Sequence, residues 1–340
     1  MQRSVGRVVT LTACFGLVLV MVGAAVAQTS YSSMNLVSNL TGKAKHTDAF
    51  LTNPWGLVYA PGAPFWISDE ASGWSTLYDG KGNPQSLQVI VPSSSGTGSG
   101  TPTGIVYNGS SEFKIDNWTS LFLFATLDGT IQGWSTFDPS TTLVGVRQAG
   151  AVYTGLAITS HTSGNMLYAA DVANNKVDVY NGSFSLVTSF TDPTIPAGFA
   201  PFGIQDIAGQ VYVTYASQSG AAGGYIDIFT EAGTFVKRLS SGKPMNQPWG
   251  LAVAPSNFGP LSGLLLVSNN TTTGTINGFN LTTGKFTSAL KNSAGKAITI
   301  SGLWGIEFGG GTTSNGATNA LYYTAGPSDT NGYFGVITAH

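Results

Sequence analysis

Short apolar stretches separated by polar turns recur along the chain from about residue 34 onward. The pattern is clearest where Met166–Ala170 forms an apolar run, Asp171–Asn175 a polar turn and Lys176–Tyr180 an alternating run, which predicts two antiparallel strands. Similar strand pairs are predicted at 65–69 and 75–79, 264–269 and 275–279, and 321–324 and 332–337. A further strand follows most pairs, for example at 87–90 and 235–239. The pattern therefore predicts an all-β chain.

Each strand pair is preceded by a short apolar strand that begins with a Pro, Trp and Gly motif. The six starts are Asn53-Pro54-Trp55-Gly56, Thr101-Pro102-Thr103-Gly104, Tyr153-Thr154-Gly155, Ala200-Pro201-Phe202-Gly203, Gln247-Pro248-Trp249-Gly250 and Gly302-Leu303-Trp304-Gly305. Their glycines recur about every 50 residues, close to the longest propeller repeats. Four strands per repeat form one blade, so the sequence predicts a six-bladed β-propeller with NHL-like repeats.

The two ends of the repeat region complement each other. The strand predicted at 34–40 precedes the first repeat without a blade of its own, and the last repeat stops at His340 after its third strand. We expect the N-terminal strand to complete the last blade, which closes the ring and removes open sheet edges. Two Gly-rich stretches, 93–101 and 309–319, leave the phase of the repeat unchanged. We therefore expect one domain over residues 28–340.

The first 27 residues have the organisation of a secretory signal. Arg3 and Arg7 precede the apolar run Val8–Val22, and Ala25-Val26-Ala27 is a small-residue cleavage site. The apolar run is shorter than the roughly 20 residues that cross a bilayer, which argues against a stable membrane anchor. The sequence thus predicts a secreted or periplasmic protein, cleaved near Ala27.

Composition narrows the possible chemistry and partners. Charged residues are only 9% of the chain and hydrophobic residues 42%, so a packed core is expected. The single cysteine, Cys14, lies in the predicted signal, which leaves the mature protein without disulfides or thiolate chemistry. Cleavage also removes Arg3 and Arg7 from the 14 basic residues, leaving 12 beside 16 acidic ones. This weakly acidic surface argues against nucleic acid as a partner.

Alternation along the first strands predicts which side chains face the central tunnel. We expect the residue after each glycine to pack between blades and the next residue to face the tunnel. The packing positions are Leu57, Ile105, Leu156, Ile204, Leu251 and Ile306, and the tunnel positions are Val58, Val106, Ala157, Gln205, Ala252 and Glu307. Only two tunnel positions are polar, so Gln205 and Glu307 are candidate ligand-binding residues.

Trp55, Trp249 and Trp304 occupy equivalent starts and should ring one face of the molecule near the axis. Two interpretations stay open. The rings could stack on sugars or hold a peptide anchor, and in that case they form one ligand-binding face together with Gln205 and Glu307. Alternatively, each ring packs between neighbouring blades.

Acidic and amide residues follow several second strands, where the turns should open on the same face as the tryptophans. Asp69, Asp171, Asn269 and Asn270 could join Glu307 to bind a hard cation such as calcium, although no cofactor is assured. The alternative is that these side chains cap their own turns. None of His46, His161 and His340 has the setting of a catalytic triad or a zinc site, and no catalytic residue is identified.

From Met34 onward the chain resembles a family of exported bacterial propeller proteins without an assigned reaction. The resemblance rests on the motifs 53–57, 247–251, 303–306, 321–327 and 332–335. Some members carry an exosortase-type C-terminal sorting signal. This sequence stops at His340 without the apolar helix and basic tail of such a signal, so the resemblance implies release rather than anchoring.

Three functions are compatible with these features. The first is a monomeric extracytoplasmic binding module for a carbohydrate, peptide or protein. The second is a calcium-dependent hydrolase or lactonase of the gluconolactonase-like propeller type, which requires at least three of the five candidate metal ligands to converge on one point. The third is a structural component of an extracellular matrix or surface. A propeller fold by itself does not decide among them.

Overall fold

Six antiparallel sheets contain nearly all of the regular structure in the computed structural model, which describes residues 1–2, 29–160 and 164–340. Most of the predicted signal peptide, including Cys14, and also His161 lie outside the described residues. Among the described residues, no helix has the length and apolar character needed to cross a bilayer. Two short 3₁₀ helices, Gly259–Leu261 and Pro327–Asp329, are the helical elements of this part of the chain.

The first three blades follow two N-terminal strands, Tyr31–Ser38 (β1) and His46–Thr47 (β2). Blade 1 contains Pro54–Tyr59 (β3), Phe65–Asp69 (β4), Trp74–Tyr78 (β5) and Val89–Ile90 (β6). Blade 2 contains Pro102–Tyr107 (β7), Phe122–Thr126 (β10), Thr130–Trp134 (β11) and Leu143–Arg147 (β12), with a hairpin of Lys114–Ile115 (β8) and Trp118–Thr119 (β9) inserted after β7. Blade 3 contains Tyr153–Thr159 (β13), Met166–Asp171 (β14), Lys176–Asn181 (β15) and Leu186–Phe190 (β16).

The remaining blades repeat the same order from the axis outward. Blade 4 contains Phe199–Ile207 (β17), Gln210–Ser217 (β18), Tyr225–Thr230 (β19) and Phe235–Ser241 (β20). Blade 5 contains Pro248–Val253 (β21), Leu265–Asn269 (β22), Ile276–Phe279 (β23) and Phe286–Ala289 (β24). Blade 6 contains Leu303–Phe308 (β25), Leu321–Ala325 (β26) and Tyr333–Ala339 (β27), followed in the sheet by β1 and β2. The predicted six-bladed, all-β propeller is confirmed.

The ring closes through the N-terminal strand, as predicted. β1 pairs antiparallel with β27 from Tyr31 opposite Ala339 to Ser38 opposite Tyr333, with one bulge between Asn35 and Val37. The innermost strands of successive blades contact one another all round the ring, including β25 of blade 6 with β3 of blade 1. Closure leaves no blade with an unpacked face.

The repeat glycines allow neighbouring innermost strands to approach closely. A Cβ atom added at Gly56 would lie 2.6 Å from the carbonyl oxygen of Thr103 in the next blade. One added at Gly203 would overlap the carbonyl oxygen of Trp249. Only a residue without a side chain fits between two backbones at this distance, which explains why glycine marks every repeat.

Hydroxyl groups also join neighbouring blades near the axis. Each donates a hydrogen bond to a backbone carbonyl of the next blade, and five of the six junctions have such a bond. The bonds are Thr103 Oγ1 to Tyr153 O (2.7 Å), Thr154 Oγ1 to Phe202 O (2.8 Å), Thr214 Oγ1 to Pro248 O (2.8 Å), Ser268 Oγ to Trp304 O (2.5 Å) and Thr324 Oγ1 to Trp55 O (2.5 Å). Each buried bond contributes about 1 kcal/mol.

The hydrophobic core lies between adjacent blades. Val58 of blade 1 packs in one apolar cluster with Ile105 and Phe122 of blade 2. Leu57 packs on the other side of blade 1, in a cluster with Tyr322 of blade 6. Successive residues of an innermost strand therefore point towards the preceding and the following blade, since the faces of a radial sheet look at its neighbours.

Candidate functional site

A narrow cavity of about 40 Å³ lies on the axis of the propeller. The six repeat glycines and the residues that follow them line it, together with Trp249, Gln205 and Glu307. The residues directly after the glycines, which were expected only to pack between blades, line this narrow cavity. Val58, Val106, Ala157 and Ala252 pack in the clusters between blades and also line the two wider cavities described below. The tunnel wall is formed by the edges of the sheets, so backbone and glycine dominate it.

At the end where the innermost strands begin, aromatic rings fill the axis. We call this group the tryptophan plug; it consists of Trp55, Phe202, Trp249 and Trp304. Trp55 stacks on Trp304 with ring centroids 3.6 Å apart, and Trp249 meets these two rings edge-on at 6.2 and 5.9 Å. The three tryptophans are only 5–8% exposed. They are therefore packing residues in this structure and do not form an open stacking surface.

Hydrogen bonds hold the tryptophan plug in place across the ring. Trp249 Nε1 donates to the carbonyl oxygen of Thr154, two blades away, at 3.0 Å. Trp304 Nε1 donates to Asn53 Oδ1 at 3.1 Å. Trp55 Nε1 is buried and has no hydrogen-bond partner among the described residues. The bond from blade 5 to blade 3 therefore links the plug to the opposite part of the ring.

The candidate metal ligands do not converge. Asp69, Asp171 and Asn269 pair with the first residues of the innermost strands of blades 1, 3 and 5, so the turns open at the tryptophan end as predicted. Glu307 instead pairs with Tyr322 near the far end of β25. The expectation that Glu307 and Gln205 share a face with the tryptophans is thus wrong, because three residues of extended strand, roughly 10 Å, separate the two positions.

Three of these side chains make hydrogen bonds close to their own turns, whereas Asp69 Oδ1 and Asn270 Nδ2 are buried without a partner among the described residues. Asp69 Oδ2 accepts from the Thr76 amide at 3.0 Å, and burial raises the pKa of Asp69 well above its ordinary value. Asp171 accepts from the Val152 amide at 3.1 Å. The Asn269 carboxamide accepts from the Asn246 amide at 2.9 Å and donates to Pro244, whereas Asn270 bonds to Gln247 through its backbone N–H. The described residues contain no group of three or more His, Cys, Asp or Glu side chains suited to a metal ion.

At the opposite end, six residues that lie at the ends of the innermost strands, or one residue before them, surround the axis. We call this ring the far mouth; it consists of Tyr59, Tyr107, Ile158, Asp206, Val253 and Phe308. It contains a cavity of about 320 Å³ beside Tyr59 and Tyr107 and a second of about 220 Å³ beside Phe308. Both cavities and the narrow axial cavity share Gln205 and Glu307. These two residues therefore form the floor on which every axial cavity converges.

The electrostatics of this floor are unusual. Burial raises the pKa of Glu307 to about 7, and a hydrogen bond from the Phe308 backbone offsets only part of that effect. Burial, with a smaller contribution from the Glu307 charge, raises the pKa of Tyr59 to about 12, and both residues line the larger cavity of the far mouth. Within the described residues no Lys, Arg or His lines the axial cavities. Among the lining residues that the structure describes, an ionised Glu307 has no cationic side chain beside it.

The curated proteins reported below as similar to this chain are viral. No family model matches it. Uncharacterized protein R648 of Acanthamoeba polyphaga mimivirus is 33% identical over 304 residues, which are 82% of this chain and 74% of that protein. This chain belongs to the R648 family. Uncharacterized protein L690 of the same virus is 29% identical over 80% of this chain and 77% of its own length. Uncharacterized protein R640 is 35% identical, but the match spans only 44% of its length.

Solved structures similar to this member of the R648 family are propellers. A streptogramin B lyase structure superposes with a TM-score of 0.56 and 13% identity, over 93% of this chain and 100% of that one. XC5397, a gluconolactonase from Xanthomonas campestris, gives 0.55 and 13% over 86% and 88%. At these identities the likeness shows the fold alone. The relatives are viral, so the expected bacterial, exported membership stays a proposal.

Sequence reasoning identified the floor of the far mouth but not its rim. Each rim residue lies three positions after a repeat glycine, so the alignment that located Gln205 and Glu307 also locates Tyr59, Tyr107 and Phe308. These residues were missed because only the first two positions after each glycine were considered. The structure shows a tunnel plugged at one end and open at the other.

Proposed function

We propose that this member of the R648 family is an extracytoplasmic binding propeller that holds its ligand at the far mouth. The observation that carries the proposal is the convergence of three axial cavities on Gln205 and Glu307. Binding sites are concave and mostly apolar, with a few placed polar groups. The far mouth has this composition, since five of its six rim residues are aromatic or aliphatic.

The position of Glu307 supports a role in binding rather than in folding. A carboxyl whose pKa is raised by burial destabilises the folded protein wherever it is ionised. Such strongly perturbed groups in clefts are typical of functional sites. Glutamine or an aliphatic residue would serve packing better at this position, and retention of an acid therefore favours recognition of a ligand.

The calcium-dependent hydrolase or lactonase is the weaker proposal. It needs at least three oxygen ligands at one point, whereas the five candidates lie in four blades and at both ends of the tunnel. A purely structural role would not explain why the far mouth contains open cavities or why a buried acid, Glu307, lines them.

We further propose that the signal over residues 1–27 directs export of the protein as a monomer. Its ligand would then be bound outside the cytoplasm, and we propose that exported bacterial propellers share this role.

A ligand screen on the purified protein tests the proposal. Thermal unfolding is followed with a panel of saccharides, amino acids, short peptides and amines, because a ligand of the folded state raises the unfolding midpoint by mass action. Each hit is then titrated against Tyr107→Ala, which removes a rim ring, and Phe286→Ala, whose ring is exposed on the outer strand of blade 5.

The two variants give opposite expectations. Tyr107→Ala should weaken binding at least tenfold, as is usual for a buried aromatic contact, and Phe286→Ala should leave it unchanged. Hits that are insensitive to Tyr107→Ala, or a panel without any hit, would overturn a binding site at the far mouth.

A further inference from the structure

We infer that a second site, on the outer side of blade 6, binds a short neutral saccharide. The site is a groove between β1, the strand that closes the ring, and segment 291–301, which belongs to the connection from β24 to β25. We call it the closure groove. It is a different site from the far mouth and therefore goes beyond the proposed function. Its hydroxyl and amide lining carries the inference.

Two cavities form the closure groove. One, of about 320 Å³, has Asn35 in its lining, and the other, of about 390 Å³, has Tyr31. Ser33 and Thr299 line both, so the cavities lie side by side along β1. Tyr31 and Asn35 are four residues apart on an extended strand, which gives the groove a length of roughly 13 Å. Small-molecule sites usually have volumes of about 300–1,000 Å³, so the groove can hold an elongated ligand of two rings.

Three adjacent strands build one end of the groove. Tyr323 on β26 lies opposite Gly335 on β27, which in turn lies opposite Asn35 on β1. Because Gly335 has no side chain, the Tyr323 ring can cross it, and a Cβ atom added there would lie 2.3 Å from the ring. The Tyr323 hydroxyl then donates a hydrogen bond to Asn35 Oδ1 at 2.6 Å. This bond fixes the orientation of the Asn35 carboxamide in the groove.

The Asn35 carboxamide retains a donor for a ligand. Its Nδ2 contacts the carbonyl oxygen of Lys43 at 3.5 Å, which is too long for a strong hydrogen bond. The amide has two N–H groups, so at least one is available to a ligand. A bulge in β1 follows directly after Asn35, and bulges commonly re-aim a side chain beside a functional site. A donor held in this way suits recognition of a hydroxyl or carbonyl oxygen.

The lining favours a neutral, hydroxyl-rich ligand. All of the described residues that line the two cavities are uncharged. Ser33, Thr299 and Ser301 are exposed, and each hydroxyl group can both donate and accept, as the hydroxyl groups of a sugar do. Tyr333 and Ile300 add apolar surface for the C–H faces of a sugar ring. A charged ligand would lose hydration without gaining an opposite charge from these residues.

Calorimetric titration with N,N′-diacetylchitobiose, cellobiose and maltose tests the inference. We expect at least one of these neutral disaccharides to bind with a Kd below about 5 mM. Its affinity should exceed that of a counterpart carrying an amine or a carboxylate by at least about threefold, because the groove supplies no opposite charge from its described lining residues. For N,N′-diacetylchitobiose that counterpart is chitobiose, in which two amines replace the acetamido groups.

Substitutions at two positions of the groove locate the binding. Thr299→Trp places a ring beside both cavities and should weaken the disaccharide at least tenfold, whereas Thr299→Ser keeps the hydroxyl group and should bind normally. The matched control Thr97→Trp adds the same ring to the exposed loop between blades 1 and 2 and should change nothing. Asn35→Ala should weaken binding about tenfold by removing the positioned donor. Thr299 is exposed, so its variants test the site even if Asn35→Ala unfolds.

The inference is overturned if none of the three disaccharides binds, or if Thr299→Trp binds them as tightly as the unmodified protein. Tyr107→Ala separates the two sites, since it should leave binding at the closure groove unchanged. If the disaccharides depend on Tyr107 and not on Thr299, the inference fails while the function proposed for the far mouth stands. If they depend on Thr299 and no screened ligand depends on Tyr107, the closure groove stands and the far mouth fails.

Discussion

Glu307→Gln should make the protein more stable, and only above about pH 5. The folded-state pKa of Glu307 is about 7, compared with an ordinary value of 4.5. An acid whose pKa is raised by folding stabilises the folded state below the lower value, and this contribution is lost as the pH rises through the higher one. The difference between the two values corresponds to at most about 3 kcal/mol, because the side chain is partly exposed to the tunnel.

Urea unfolding of the unmodified protein and of Glu307→Gln between pH 4 and pH 8.5 measures how much Glu307 changes the free energy of unfolding. Near pH 4 both carry a neutral side chain of the same size at position 307, so their free energies of unfolding should agree. The variant should then gain stability relative to the unmodified protein, with a plateau of at most about 3 kcal/mol above pH 7.5. Asp329→Asn, which changes an exposed acid, should show no such divergence. The reasoning would be refuted if the two free energies of unfolding differed by a constant amount across this pH range. Greater stability of the unmodified protein at pH 8 would refute it as well.

Three further predictions concern the repeat glycines, the hydroxyl bonds between blades and calcium. Gly203→Ala should destabilise the protein by about 3 kcal/mol in urea unfolding, because its Cβ would overlap the Trp249 carbonyl, whereas Gly109→Ala, whose Cβ has 3.4 Å of space, should change stability by less than about 0.5 kcal/mol. Thr324→Val should cost about 1–2 kcal/mol in the same assay by removing the hydroxyl bond to Trp55. Millimolar calcium added after a chelator should shift the thermal midpoint by less than about 1 °C; a larger rise that Glu307→Gln abolishes would revive the calcium-dependent enzyme.

The fold could be predicted because every repeat has a glycine at the position where the backbones of neighbouring blades come closest. A glycine at the start of each innermost strand is needed wherever two backbones nearly touch, as Gly203 and Trp249 show. That requirement does not depend on the rest of the blade, so it survives in every repeat and sets the register. Closure by β1 could be predicted for a similar reason, since a blade without a fourth strand leaves an edge to be paired.

The lining of the tunnel could not be predicted from alternation alone. Alternation assigns side chains to the two faces of a sheet, but the sheets of a propeller are radial, so both faces meet neighbouring blades. What lies on the axis is the sheet edge, and only a long side chain reaches inward from there. Gln205 and Glu307 reach the narrow axial cavity, whereas Ala157 and Ala252 line only the wider cavities at the far mouth.

The burial of the three tryptophans could not be predicted from their equivalent positions in the repeat either. Equivalent positions in a closed ring all point towards one axis, so three large rings cannot line a face without meeting one another. Their mutual stacking fills the space that a ligand would need. At the far mouth the corresponding positions diverge as the tunnel widens, which leaves Tyr59, Tyr107 and Phe308 partly exposed around a cavity. In this propeller, candidate ligand-binding residues are therefore best sought three positions after each repeat glycine. Large side chains at these positions can surround a ligand instead of packing on one another.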